Sequence, residues 1–190
     1  MVVLAVAAGT ALAACGGGSS VHSTTSTTTT TPSTSVPSSS TATTTPTGLA
    51  QCRTAQLHVS FGQLGAGAGS RYVRLILTNS GAACRTRGYV GMQLLGTGGQ
   101  AVPTNVVRDQ SVPAPVVNVP TGAQTSALLH WGAIPAGNES QSGPCEPVPQ
   151  QVEVTPPNEF QFTVAPWTFG SACEQGRIDT QPLQAGVPSP

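Results

Sequence analysis

Cys84 stands just ahead of Arg85 and Arg87 in the stretch LTNSGAACRTRGYVG, Leu77 to Gly91. Positive neighbours lower a thiol's pKa, so in a reducing compartment this cysteine would be a candidate nucleophile. In an oxidising compartment it would be half of a disulfide. His58 and His130, with the lone Met92, are the other candidates in the patterned part of the chain. A blue-copper centre needs two histidines, a free cysteine and usually a weak axial methionine. No Cys-x-His-Met cluster is present, so no metal is expected. His58 falls on the polar side of an alternating stretch, and His130 is out of phase with Leu129 and Trp131, so both read as surface or partly buried side chains. Hydrolytic chemistry fares no better. There is no lysine for a Ser-Lys pair and no Gly-x-Ser-x-Gly elbow. A triad drawn from Asp109, Asp179 and either histidine has no support in spacing. Glu139, Glu146, Glu159 and Glu174 are scattered, and Glu153 alternates with Val152 and Val154 as a solvent-facing strand residue would. The expectation is a non-enzyme with no catalytic residue and no cofactor.

Aromatic faces can stack on sugars, and Tyr72, Tyr89, Trp131 and Trp167 invite that reading. The chain has two Trp, two Tyr and four Phe, too few to spare many from a core. Tyr89 and Trp167 are the expected ligand contacts, Trp167 because it follows Pro166 at a strand end or loop.

The compartment decides what the cysteines do. Val2 to Leu12 is an almost unbroken apolar run, too short for a membrane-spanning helix of roughly 20 residues but suited to a secretory signal. Leu12-Ala13-Ala14-Cys15 follows it and resembles the bacterial lipobox, in which the cysteine becomes the lipidated, acylated N-terminus. Residues 1–14 are therefore expected to be a lipoprotein signal peptide and Cys15 the lipidation site. No Lys or Arg precedes the apolar run, a departure from the usual signal that points to a start codon further upstream. From Ser19 to Thr47 nearly every residue is Ser or Thr, with scattered Pro and no apolar face to offset the entropy of ordering. Residues 15–48 are expected to be a disordered tether, and their Ser/Thr/Pro composition suits O-glycan attachment, with mannose the proposed sugar.

The elements that would hold any site begin near Cys52. TAQLHVSF alternates Ala55, Leu57, Val59 and Phe61 against polar residues, the period of a half-buried strand. RYVRLILTN, after a Gly-rich turn placed near residue 65, is apolar and β-branched enough for a central strand. Further strands are expected over 90–95, 101–108, 111–119, 125–131, 150–155, 160–165 and 176–180, with Gly/Pro/Asn turns between them. No stretch has a sustained 3.6-residue apolar period. With Cys15 lipidated, Cys52, Cys84, Cys145 and Cys173 form an even set that allows three disulfide connectivities. Folding the first hairpin brings Cys52 opposite the neighbourhood of Asn79, close to Cys84. Folding QQVEVT onto FQFTV brings Cys145 opposite the neighbourhood of Gly170, close to Cys173. The expected pairs are Cys52–Cys84 and Cys145–Cys173, and in such a setting Cys84 is structural.

Those same residues carry a resemblance. Cys52 and its following strand, TNSGAACRTRGYVG, VPTGAQTSALLHW, Cys145, VEVTPP and Cys173 are similar to the actinobacterial secreted or lipid-anchored family called domain of unknown function 4232. The cluster Asn79-x-Gly81, Cys84 and Arg87-Gly88-Tyr89 is its most specific part, with Val90 where members often have Pro. The resemblance covers about Gln51 to Gln184 and implies no activity.

Charge excludes several functions. Seven Arg balance seven acidic residues, and charged residues are 7% of the 190-residue chain, against about 25% in ordinary soluble domains. With no basic stripe, no nucleic acid is expected as a partner. The organisation read from the sequence is a signal (1–14), a lipidated tether (15–48), an all-β antiparallel immunoglobulin-like sandwich with two disulfides (49–184) and a flexible tail (185–190). The expected function is a non-enzymatic, monomeric lipoprotein held at the outer face of the cell membrane through Cys15, binding a protein or glycan of the envelope. The alternative is an envelope enzyme or metal carrier using His58 or His130.

Overall fold

A computed structural model describes residues 48–188. The expected signal, Cys15 and residues 15–47 of the tether lie outside them. Twelve strands make up nearly all of the regular structure: β1 Leu57–Phe61, β2 Gly65–Gly67, β3 Ser70–Asn79, β4 Cys84–Thr86, β5 Gly91–Leu95, β6 Asn105–Arg108, β7 Val117–Val119, β8 Gln124–Gly132, β9 Gln151–Thr155, β10 Thr163–Pro166, β11 Arg177–Thr180 and β12 Gln184–Ala185. The large sheet runs β1-β3-β8-β11-β6, with β2 added on β3 and β12 on β8; β10-β9-β5 form a second sheet and β4-β7 a ribbon. One apolar core serves all three. Val73, Leu75 and Leu77 of β3, Ala127, Leu129 and Trp131 of β8 and Ile178 of β11 meet Leu94, Val152, Val154 and Ala165 of the second sheet. Alternation along β3 and β8 puts every second residue in that core, so the intervening side chains must line the outer face.

Three expectations about the strands change. The first hairpin turns at Ala68 and Gly69, both at positive φ, rather than near residue 65. Glycine supplies that conformation cheaply, and Gly67 pairs with Ser70 across the two-residue turn. The resulting register sets Leu57 against Asn79 and Phe61 against Leu75. Ala55, expected inside, is exposed in the single 3-10 turn Thr54–Gln56 that precedes β1. Most pairings are antiparallel, but β11 pairs β6 in parallel, because the long connection between them returns the chain in the same direction.

The disulfides join Cys52 to Cys84 and Cys145 to Cys173, with Cα separations of 4.9 and 5.4 Å. The approach to Cys52 is made by backbone. Cys52 donates its N–H to the Arg85 carbonyl, and Arg85 donates to Ala50. Arg85 therefore belongs to strand β4, with its side chain exposed. Arg87 lies in the connection that follows and donates to the Ala114 carbonyl. The register of β9 with β10 pairs Thr163 with Val154, which extended outward sets Cys145 across from Ala172, beside Cys173.

Asn79 and Trp167 are the two buried residues that most shape the ends of the sandwich. Asn79 donates from its amide nitrogen to the Ala82, Val119 and Pro120 carbonyls, and its oxygen accepts from Gln56 Nε2 and the Gly81 N–H. Trp167, expected as an exposed contact, is only 2% exposed. It packs among Phe61, Trp131 and Phe169 with ring centroids 5.1–5.8 Å apart, and its indole N–H donates to the Gly170 carbonyl. Pro166 ends β10 on the exposed side, and the next residue in alternation turns inward, which is why the sequence position misled. The expected tail likewise opens in strand: β12 reaches Ala185, and Val187 and Pro188 wall a hollow on the large sheet.

Candidate functional site

Strand register dictates what gathers on the outer face of the large sheet. Tyr72 stands opposite His130, and Arg74 opposite Leu128, between β3 and β8. Asp179 stands opposite His130 between β11 and β8. Two hollows flank the shared wall made by Tyr72 and Leu128.

The first, about 490 Å3, is polar. It is lined by Arg108, Asp109, His130, Arg177, Asp179 and Gln181 together with Tyr72. His130 lies flat against Tyr72, centroids 4.7 Å apart and planes 24° from parallel. Its Nδ1 is 3.5 Å from an Asp179 carboxylate oxygen. Arg177 Nη2 donates to the other Asp179 oxygen at 2.9 Å. That bond and the Asp179 charge raise the Arg177 pKa above its ordinary value, so the guanidinium stays charged. Asp109 accepts from the Ser111 N–H at 2.9 Å and is held below the usual carboxylate range, first by hydrogen bonding from Ser111. His130 thus lies beside a carboxylate and is stacked on a ring. The lining holds no Ser, Thr or Cys beside it to act as a nucleophile.

The second hollow, about 400 Å3, is lined chiefly by apolar groups: Leu64, Tyr72, Leu128 and Val187, with Arg74 as its only cation. A third, about 630 Å3, lies around Glu139, Glu146 and Glu174 beside Cys145. Glu139 there accepts the Ala136 and Gln175 N–H groups and sits below its ordinary pKa because of them. Burial, then the charge of Glu139, pushes Glu146 up. Glu139, Cys145 and Cys173 are the only cluster of metal-ligand types among the described residues, and both sulfurs are committed to a disulfide.

Tyr89 and His58 complete the sequence-derived candidates. Tyr89 is half-buried at the margin of the polar hollow, its hydroxyl donating to the Asp109 carbonyl and its ring lying 5.6 Å from the Arg108 guanidinium carbon. Its visible job is to hold the β6 end against the turn before Val90. His58 is exposed on β1, away from His130. The grouping of Tyr72, His130 and Asp179 escaped sequence reading because it needs three strands in register. Its only sequence signal was that all three alternate away from core residues.

Fold and site together define a disulfide-braced β-sandwich module with a two-part groove on the outer face of its larger sheet. The chain belongs to the family described as Domain of unknown function (DUF4232), whose model matches residues 52–184. No curated protein and no solved structure matches it.

Proposed function

We propose that the protein is a non-enzymatic cell-envelope lipoprotein, anchored through a lipid on Cys15 at the outer face of the cytoplasmic membrane and presenting its sandwich as a binding module. The groove carries the reading: it is a concave, mixed apolar and polar surface in whose polar half Arg177 is paired with Asp179 and Asp109 is held by Ser111. Such lining suits recognition, where a few fixed polar groups orient a ligand. Two disulfides fit an oxidising compartment. The Leu12-Ala13-Ala14-Cys15 sequence and the Ser/Thr-rich stretch after it fit anchor and tether. A photo-crosslinker placed at Gln181 in living cells, followed by mass spectrometry, is expected to capture one recurring envelope protein or glycan. No reproducible adduct would reject the binding reading. Labelling with an alkynyl fatty acid is expected to mark the chain and to fail in Cys15→Ser.

One observation favours the envelope enzyme or metal carrier instead: His130 shares a hollow with Asp179 and Asp109. Stoichiometric zinc or copper in purified protein, lost in His130→Ala with the fold intact, would establish it.

A further inference from the structure

Arg74 is the unusual side chain of the groove. It projects from β3 between Tyr72 and Ile76 on the outer face, into the apolar hollow. Its Nε is buried and has no hydrogen-bond partner, and no carboxylate pairs with it among the described residues. Of the arginines that line the neighbouring polar hollow, Arg177 is forked onto Asp179 and Arg108 lies over the Tyr89 ring. A buried guanidinium N–H left unmade is expensive, and charged groups are the costliest to leave so. A guanidinium presents its donors in a fixed fork that matches a carboxylate with two parallel bonds. Around this fork Leu64, Tyr72 and Val187 are each about 40% exposed, a cluster of large apolar groups that water wets poorly.

We propose that this hollow binds an apolar monocarboxylate, with Arg74 forked onto the carboxylate and the hydrocarbon lying against Leu64, Tyr72, Leu128 and Val187. The charge count selects a monoanion, since Arg74 is the only ionisable cation lining the hollow and no acidic side chain opposes it. The volume, about 400 Å3, is in the range of small-ligand sites and too small for a two-chain lipid. The proposal rests on the binding-module reading and names a ligand class for the apolar half of the groove.

The test is calorimetric titration of the full chain carrying Cys15→Ser, prepared free of detergent, with decanoate and with decanol. Decanoate is expected to bind one to one, at least tenfold more tightly than decanol. Arg74→Gln should lose that tenfold preference while retaining decanol binding, and Leu64→Asp should weaken both. Circular dichroism and the thermal midpoint establish that each variant is folded. Should either variant unfold, chemical-shift mapping of the unsubstituted protein replaces it, with the Arg74 Nε–H resonance expected to move on adding decanoate and not decanol. No decanoate binding, or equal binding by Arg74→Gln, overturns the proposal. A crosslinked partner at Gln181 without decanoate binding would sink this ligand class and leave the binding-module reading standing.

Discussion

Asn79 shows what a single residue does here. It is fully buried at the end of β3, and its amide ties the turn before β8, the loop before β4 and the segment before β1 into one junction. Removing one partner from a buried hydrogen bond costs about 1–3 kcal/mol for each group left unmade. Asn79→Ala is therefore expected to lower unfolding free energy by about 2–4 kcal/mol in urea titrations. Asn79→Asp should do no better, because it puts a charge where donors face the Val119 carbonyl. Glu159 makes a second junction. Its carboxylate accepts from the Thr54 N–H and hydroxyl at 3.1 Å and pairs with Arg53 at 3.4 Å. The Thr54 bond foremost holds its pKa below the ordinary 4.5. A carboxyl depressed in the folded state stabilises fully above its unfolded value, and that stabilisation is lost as pH falls through the folded value. The thermal midpoint is thus expected to fall below about pH 4.5, and more shallowly in Glu159→Gln. A midpoint whose acid slope is the same in both proteins would exclude this role. Of these residues, Asn79 and Gly81 were legible as part of the cluster that carries the family resemblance. Glu159 was not, because its partner lies more than a hundred positions away.

Strands were the most legible level. Alternation in Leu57–Phe61, the apolar run of Ser70–Asn79 and the Val-x-Val of Gln151–Thr155 each state their own burial. Short strands were less so: β4 at Cys84–Thr86 has three residues, too few for any period, and exists because Ala50–Cys52 and β7 flank it. Element ends were least legible. The turn Cys173–Gly176 holds Glu174 and Gln175 at left-handed φ, and a Cβ on Gly176 would strike the Pro103 carbonyl. Trp167, one residue beyond β10, belongs to the same lesson, since its direction depends on where the alternation stops. Truncating a large buried aromatic costs about 3–5 kcal/mol. Trp167→Ala is expected to lose that much in a denaturant titration, and a loss under about 1 kcal/mol would contradict its place in the core.

At the scale of the molecule the two disulfides act as braces on separate hairpins, spanning 32 and 28 positions. Loops of that size correspond to about 3.5 kcal/mol each on the chain-entropy account. Against a net stability of about 5–15 kcal/mol, losing both would leave the domain marginal. Cys52→Ser with Cys84→Ser, and separately Cys145→Ser with Cys173→Ser, should each lower stability by about 2–5 kcal/mol, and the two losses should add. Strong sub-additivity would mean that the braces share one unfolding unit.

By itself the sequence determined that the chain makes many short strands, that four cysteines fall at the ends of two hairpins, and that Cys84 is placed to be structural. Those properties are local: periodicity, turn residues and spacing act over a few to thirty positions. The tertiary structure alone decided that Trp167 is core, that β6 and β11 run parallel, and that Tyr72, Arg74, His130 and Asp179 share one face. These depend on which strand lies beside which, and at what register, and a shift of one residue would turn each of those side chains to the opposite face.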